Sequence, residues 1–106
     1  MDNPQPERHP LADLDRVIHS PARLMVLTYL YAVEYADYVY LTHLTGLTWG
    51  NLSSHIGKLE EEAYVEVEKK FVGKKPHSII RLTKKGREAF RAYKNQLQTV
   101  LAGLPD

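Results

Sequence analysis

Apolar side chains recur at three- and four-residue spacing through most of this chain, and in one stretch the period falls to two. Leu11, Leu14, Val17 and Ile18 keep the helical period, while Asp13, Asp15 and Arg16 fall on the other side. "HSPARL" then restarts the chain, because Ser20 suits a helix N-cap and Pro21 the first helical position. The helix expected from there to about Tyr35 is apolar nearly all round (Leu24, Met25, Val26, Leu27, Leu30, Tyr31, Val33). Such a helix belongs in the middle of a domain. "EYADYVY" breaks it, with Val39 and Tyr40 expected as a short strand.

Leu41–Thr45 reads as a short helix, and Gly46 follows where a helix ends at positive φ. A second helix starts three residues later. Thr48 is its expected N-cap, and Leu47 and Leu52 stand where a hydrophobic staple would close. Leu52, Ile56, Leu59 and Ala63 step by four, three and four, which defines a buried stripe. Helix, short Gly-containing turn, helix is the spacing of a helix-turn-helix. "YVEVEKKF" alternates, with Val65 and Val67 on one face, and "SIIRLT" is a second strand. Between them "VGKKPH" is a turn marked by Gly73 and Pro76. Two strands with a basic tip, directly after a helix-turn-helix, form a wing. Thr83 caps a last helix, where Phe90, Leu97 and Leu104 recur by seven with Tyr93 and Val100 between them. That seam is expected to form part of a dimer interface with Leu11, Leu14 and Ile18, and with Leu101 beside it. The fold class expected is therefore mainly α with a small β-hairpin wing, a single winged helix-turn-helix domain over residues 11–106. Residues 1–10, polar and Pro-rich, are expected as a flexible arm.

At 106 residues the chain has room for one small domain. It contains no cysteine, which excludes a disulfide framework, a thiolate metal site and a cysteine nucleophile. The longest apolar run, Leu24–Val33, falls short of the roughly 20 residues a bilayer span needs, and "MDNPQPERHP" is no signal peptide. A cytoplasmic protein without membrane contact is expected. The net charge of +1 conceals a segregation: residues 1–68 carry four Lys/Arg against eleven Asp/Glu, while residues 69–94 carry ten Lys/Arg and one Glu. One strongly basic stretch suggests a polyanionic partner, although a lysine-rich run alone is as often a solvated face.

The helix after Gly46 shifts that balance. Its outward side carries Asn51, Ser53 and Ser54 instead of Lys and Glu, although Ser and Asn are mediocre helix formers. Long side chains would hold a helix away from the floor of the DNA major groove, whereas short polar ones let it enter. Asn can bond adenine in bidentate fashion, and Ser and His can donate or accept. Free N–H groups in the first turn suit a phosphate. Thr48, Trp49, Gly50, Asn51, Ser53, Ser54, His55 and Lys58 are therefore the candidate groove residues, with Glu60, Glu61 and Glu62 at the far end. The plainer readings are that Thr48 and Asn51 only cap, that Trp49 packs on a neighbouring helix, and that His55 is a surface residue. Lys69, Lys70, Lys74, Lys75 and His77 surround the wing turn, within reach of phosphates or the minor groove. Lysines on edge strands also prevent edge-to-edge pairing, and the two roles are compatible.

"GNLSSH", "KLEE", "GKKP" and "LTKKGREAF", in this order, resemble the small MarR/ArsR-like winged-helix transcriptional regulators of archaea and bacteria. The resemblance covers roughly residues 11–101. It implies a dimeric winged helix that binds double-stranded DNA and usually represses, with the recognition helix on Trp49–Glu62, the wing on Lys69–Ser78, and the terminal helices making the dimer. Two positions depart from the pattern. Ser78 stands where Thr is common, and Ala63 where Gly is common. Either Ala63 carries the strain of a left-handed helix end or the helix ends in another geometry; because Ala63 continues the apolar stripe, the second, with Ala63 buried at negative φ, is the expectation.

There is no P-loop, no G-x-S-x-G and no clustered carboxylate pair, so an enzyme is not expected. Histidines at 9, 19, 43, 55 and 77 show no ligand spacing, and no cofactor or metal is expected. The rival reading is a winged helix serving as a protein-interaction module, its basic stretch meeting an acidic partner. Whether a small-molecule effector exists is left open by the residues.

Overall fold

The structure is a computed structural model of the chain and describes residues 9–106. After a 3-10 turn at Pro10–Asp13 the order is α1 (Pro21–Val33), β1 (Tyr35–Asp37), α2 (Tyr38–Thr45), α3 (Trp49–Glu61), β2 (Val65–Val72), β3 (Lys75–Leu82) and α4 (Lys84–Ala102). The sheet is antiparallel with β3 in the centre. Ile18, Val26, Leu27, Leu30, Leu41, Leu52, Leu59, Val65 and Ile80 are fully buried and form the core. Burying one such side chain contributes about 1.5–3 kcal/mol.

Local chemistry sets the boundaries. Ser20 Oγ accepts the Arg23 N–H, Thr48 Oγ1 the Asn51 N–H at 3.2 Å, and Thr83 Oγ1 the Gly86 N–H at 2.9 Å. Each caps a helix whose first N–H groups have no partner inside it. Gly46 stops α2 in the left-handed region at φ 70°. The basic hairpin turns on Gly73 and Lys74 alone, because Gly73 takes φ 65° and lets strands pair from Val72↔Lys75 downward.

Four expectations are corrected. Residues 11–18 do not form one α-helix: a 3-10 turn ends at Asp13, and Asp15 Oδ1 then accepts the N–H groups of Val17 and Ile18, which turns the chain instead. Val39–Tyr40 is not a strand but the first turn of α2, since Asp37 caps it through the Val39 N–H at 2.8 Å. The strand lies just before, at Tyr35–Asp37, and adds a third member to the sheet. Ala63 is exposed and has φ 60°, neither buried nor negative. Tyr64 N–H bonds Leu59 O and Ala63 N–H bonds Glu60 O, both at 2.9 Å, which is the Schellman ending of a helix. Thr83 Oγ1 donates to the Ala63 carbonyl at 2.6 Å and fixes that peptide. The last correction concerns the interface residues: Leu14, Ile18 and Tyr93 are buried within their own chain. The N-terminal segment folds back on α4, where His19 Nδ1 and Tyr93 Oη lie 2.7 Å apart. Of the expected arm, only His9 and Pro10 fall within the described residues, and they open the 3-10 turn.

Candidate nucleic-acid interface

α3 presents its apolar stripe, Leu52, Ile56 and Leu59, to the core. The opposite side follows from the 3.6-residue turn and carries Gly50, Ser54 and Gly57, with the exposed Glu61 closing the strip at the C-terminal end of the helix. A Cβ built on either glycine would meet nothing within 4 Å. The helix surface there is nearly bare backbone. Glycine inside a helix costs about 0.5–1 kcal/mol relative to alanine, so two of them on an open face weaken the element without any packing demand. Asn51 and Lys58, both exposed, border the bare strip on one side and Ser53 on the other. Gly57 was not among the candidates drawn from the sequence. Its helical phase with Gly50 and Ser54 was the available signal.

Two candidates prove to be engaged within the chain. His55 is half-buried, with Nδ1 3.0 Å from Arg23 Nη1. Its partial burial, then the charges of Arg23 and Lys58, push its pKa below the ordinary histidine value. Trp49 packs on Tyr38, ring centroids 4.3 Å apart, yet remains 57% exposed. The packing reading of Trp49 therefore applies, and the ring still offers an exposed face.

The wing stands beside α3. Cross-strand partners share a face, so Val67, Lys69, Phe71, Ser78 and Pro76 continue the face that Val65 and Leu82 bury. Lys70 and Lys75 lie on the opposite face, and Lys74 occupies the turn. Lys70 is 3.9 Å from Glu68, and Lys69, Lys74 and Lys75 are exposed. His77 Nδ1 is 2.8 Å from Asp37 Oδ2 and ties the wing to the cap of α2. Burial opposes the charged form of Asp37, but the hydrogen bonds from His77 and from the Val39 N–H outweigh it and hold the carboxyl below its usual range. His77 is thus a brace of the wing in the free protein. A cleft of about 520 Å³ separates wing from helices, walled by Tyr38, Trp49, Phe71 and Pro76 with Lys69 and Lys75 at its edges. Tyr38 Oη is buried there, and no described residue gives it a hydrogen bond. Phe71 is 74% exposed, an apolar wing residue that charge counting passed over.

The order helix, turn, helix, hairpin agrees with the comparison by sequence, in which the model of the winged helix DNA-binding domain family matches residues 22–101. The chain belongs to the winged helix DNA-binding family. An uncharacterized protein of Methanocaldococcus jannaschii is 40% identical over 78 residues, 74% of this chain and 85% of that protein. The solved structure of a transcriptional regulator homologue from Pyrococcus horikoshii OT3 superimposes with TM-score 0.85 at 26% identity, covering 92% of this chain and 98% of that one. An ArsR family transcriptional regulator shares the fold, with TM-score 0.59 at 18% identity over 91% of this chain and 94% of its own. The resemblance to MarR/ArsR-like regulators thus stands at the level of the fold, and the chain carries a winged helix DNA-binding domain. Within this winged helix, α2 and α3 are the helix-turn-helix pair and β2–β3 the wing. Among the described residues no helix is long and apolar enough to cross a membrane. Among them, too, no group of three or more His, Cys, Asp or Glu is placed to hold a metal ion.

Proposed function

We propose that the protein is a sequence-specific regulator of transcription that binds double-stranded DNA as a homodimer and represses by occupying its site. α3 enters the major groove, and the wing lies on the backbone or in the adjacent minor groove. The observation that carries this reading is the strip of Gly50, Ser54 and Gly57 on α3, bordered by Asn51, Ser53 and Lys58. It lets the helix backbone approach base edges to a distance that lysine or glutamate would prevent. Thr48, Trp49 and Gly50 open the helix, where free N–H groups suit a phosphate. Lys69, Lys74 and Lys75 supply phosphate contacts from the wing, joined by Lys70 on release from Glu68 and by His77 on release from Asp37.

The dimer reading rests on α4. On the helix Leu97 and Val100 are half-buried and Leu101 is 52% exposed, while Leu104 lies past the helix end and is 60% exposed. Phe90 is half-buried, packed on Tyr31 and Tyr93, and Leu11 is half-buried against the core. A second copy covers the exposed part of this seam, and two-fold symmetry places two copies of α3 on successive turns of one face of the duplex, about 34 Å apart.

Selection of duplexes from a random pool by the full chain tests the function. A recovered consensus with two related half-sites is the expected result. The rival reading, a protein-interaction module, draws on the exposed Phe71 and Val72 of the wing. It takes over if the chain shows no salt-dependent retention on duplex DNA.

A further inference from the structure

Arg23 and His55 meet where the first turn of α1 touches α3. Arg23 Nη1 lies 3.0 Å from His55 Nδ1. The guanidinium is itself anchored, since Nε donates to the Val17 carbonyl and Nη2 lies 3.5 Å from the Arg16 carbonyl. A guanidinium has donors and no acceptor, and it stays charged throughout the range in which proteins fold. The ring nitrogen facing it must therefore accept. A neutral imidazole carries one ring hydrogen, which leaves that hydrogen on Nε2. Protonating the ring would set two N–H groups against each other. Partial burial opposes this protonation first, and the charges of Arg23 from α1 and of Lys58, one turn along α3, add to it.

We infer that Arg23 is a positioning residue that locks His55 as a hydrogen-bond donor through Nε2, so that this place on α3 selects an acceptor atom of the duplex. The inference rests on the groove-entering reading of α3. A histidine free to change tautomer could accept from the amino groups of adenine or cytosine as readily as it donates. A locked one discriminates: guanine N7 and O6, adenine N7, thymine O4 and phosphate oxygens satisfy it, and the exocyclic amino groups do not. His55 lies on the same flank of α3 as Asn51, one turn before, and Lys58, which are both exposed. A single strip thus combines a fixed donor, an amide that does both and a cation.

The test has two arms, both on the full chain. In nitrogen–proton correlation spectra of the DNA-free protein, His55 should show the Nε2–H tautomer alone and titrate below the ordinary value of about 6.5. In Arg23→Met the ring should titrate closer to that value and show both tautomers. An Nδ1–H tautomer in the wild type, or an unchanged ring in Arg23→Met, overturns the lock. The second arm uses a selected duplex carrying base analogues without N7, O6 or O4, or methylphosphonate linkages, one position at a time. One substitution should weaken wild-type binding about tenfold and leave His55→Ala binding unaffected. A base analogue with that effect assigns the contact to the groove, and a methylphosphonate assigns it to the backbone. If no substitution spares His55→Ala, the contact does not exist. If selection recovers no preferred sequence, the sequence-specific reading itself falls, and with it the selecting role of His55, while the spectra still judge the lock.

Discussion

Ala63 and Gly86 face each other's neighbours across the junction of α3, β2 and α4, and they meet opposite demands. Ala63 occupies the left-handed position of a Schellman ending at φ 60°, where a Cβ crowds the adjacent carbonyl. Its side chain is exposed, so glycine would forfeit little burial. Ala63→Gly is therefore expected to raise stability by roughly 1 kcal/mol, read as a higher denaturation midpoint with an unchanged slope. A lower midpoint would show that the entropy of the unfolded glycine chain outweighs the relieved strain. Gly86 has the reverse constraint. A Cβ there would sit 2.1 Å from the Tyr64 carbonyl oxygen and 2.8 Å from its carbon, both backbone atoms. Nothing flexible can yield, so Gly86→Ala should destabilise by about 1–3 kcal/mol or more as α4 is pushed off β2. A neutral outcome in the same denaturation experiment would mean that α4 shifts freely at its start.

At the scale of elements, α3 and the wing divide the work that charge and groove geometry impose. Gly57 is half-buried beside the wing, but a Cβ there meets nothing within 4 Å among the described residues, so Gly57→Leu is expected to be accommodated in the free protein and to improve local helix propensity. In a complex the same side chain would stand between backbone and base edges. Folding midpoint should hold or rise, while affinity for a selected duplex should fall about tenfold or more, the size of a lost bidentate base contact. Retained affinity would mean that this strip does not meet the groove floor. The wing lysines should act without regard to sequence. Lys74→Ala together with Lys75→Ala is expected to weaken all duplexes about equally. The plot of log affinity against log salt should flatten by up to about two units per protomer, near 0.9 for each phosphate contact. An unchanged slope would show that neither lysine meets a phosphate.

On the scale of the whole molecule, burial decides which apolar residues remain for a partner. Leu97 packs partly against the chain's own core, whereas Leu101 is 52% exposed near the end of α4. Leu101→Glu is thus the cleaner probe of the proposed dimer, because it leaves the monomer's packing alone. Sedimentation should show monomers, and binding to a two-half-site duplex should drop toward that of one protomer. A wild type that stays monomeric at tens of micromolar ends the proposal. The basic stretch also looks different in three dimensions. The wing holds four of its lysines, but Arg87 lies 4.4 Å from the Tyr31 ring, Lys85 5.6 Å from Tyr64 and Arg81 5.3 Å from Tyr35. Those three cations cover aromatic faces of their own chain, worth about 0.5–1 kcal/mol each at exposed sites. Ten cations adjacent in sequence are therefore not one continuous patch.

Local chemistry alone was enough for α1, α3, the hairpin and α4. Their caps at Ser20, Thr48 and Thr83, the stop at Gly46 and the turn at Gly73 each act within a few residues. The apolar stripe of α3 was equally legible, since helical periodicity needs no partner to be read. What lay beyond local reach was set by contacts distant along the chain. Residues 11–18 have a helical pattern, yet Asp15 turns them and its carboxylate takes the Tyr64 hydroxyl, 49 positions away. β1 is three residues long and exists because β3 offers it an edge. Ala63 looked like a core residue until Thr83, from the far end of the wing, fixed its peptide. The tautomer of His55 depends in the same way on Arg23, 32 positions before it. Periodicity and capping are short-range and survive in the sequence as patterns. A turn held by a remote hydroxyl, a strand that needs an edge and a proton held on one nitrogen have no periodic signature, because their partners are neighbours only in the folded chain.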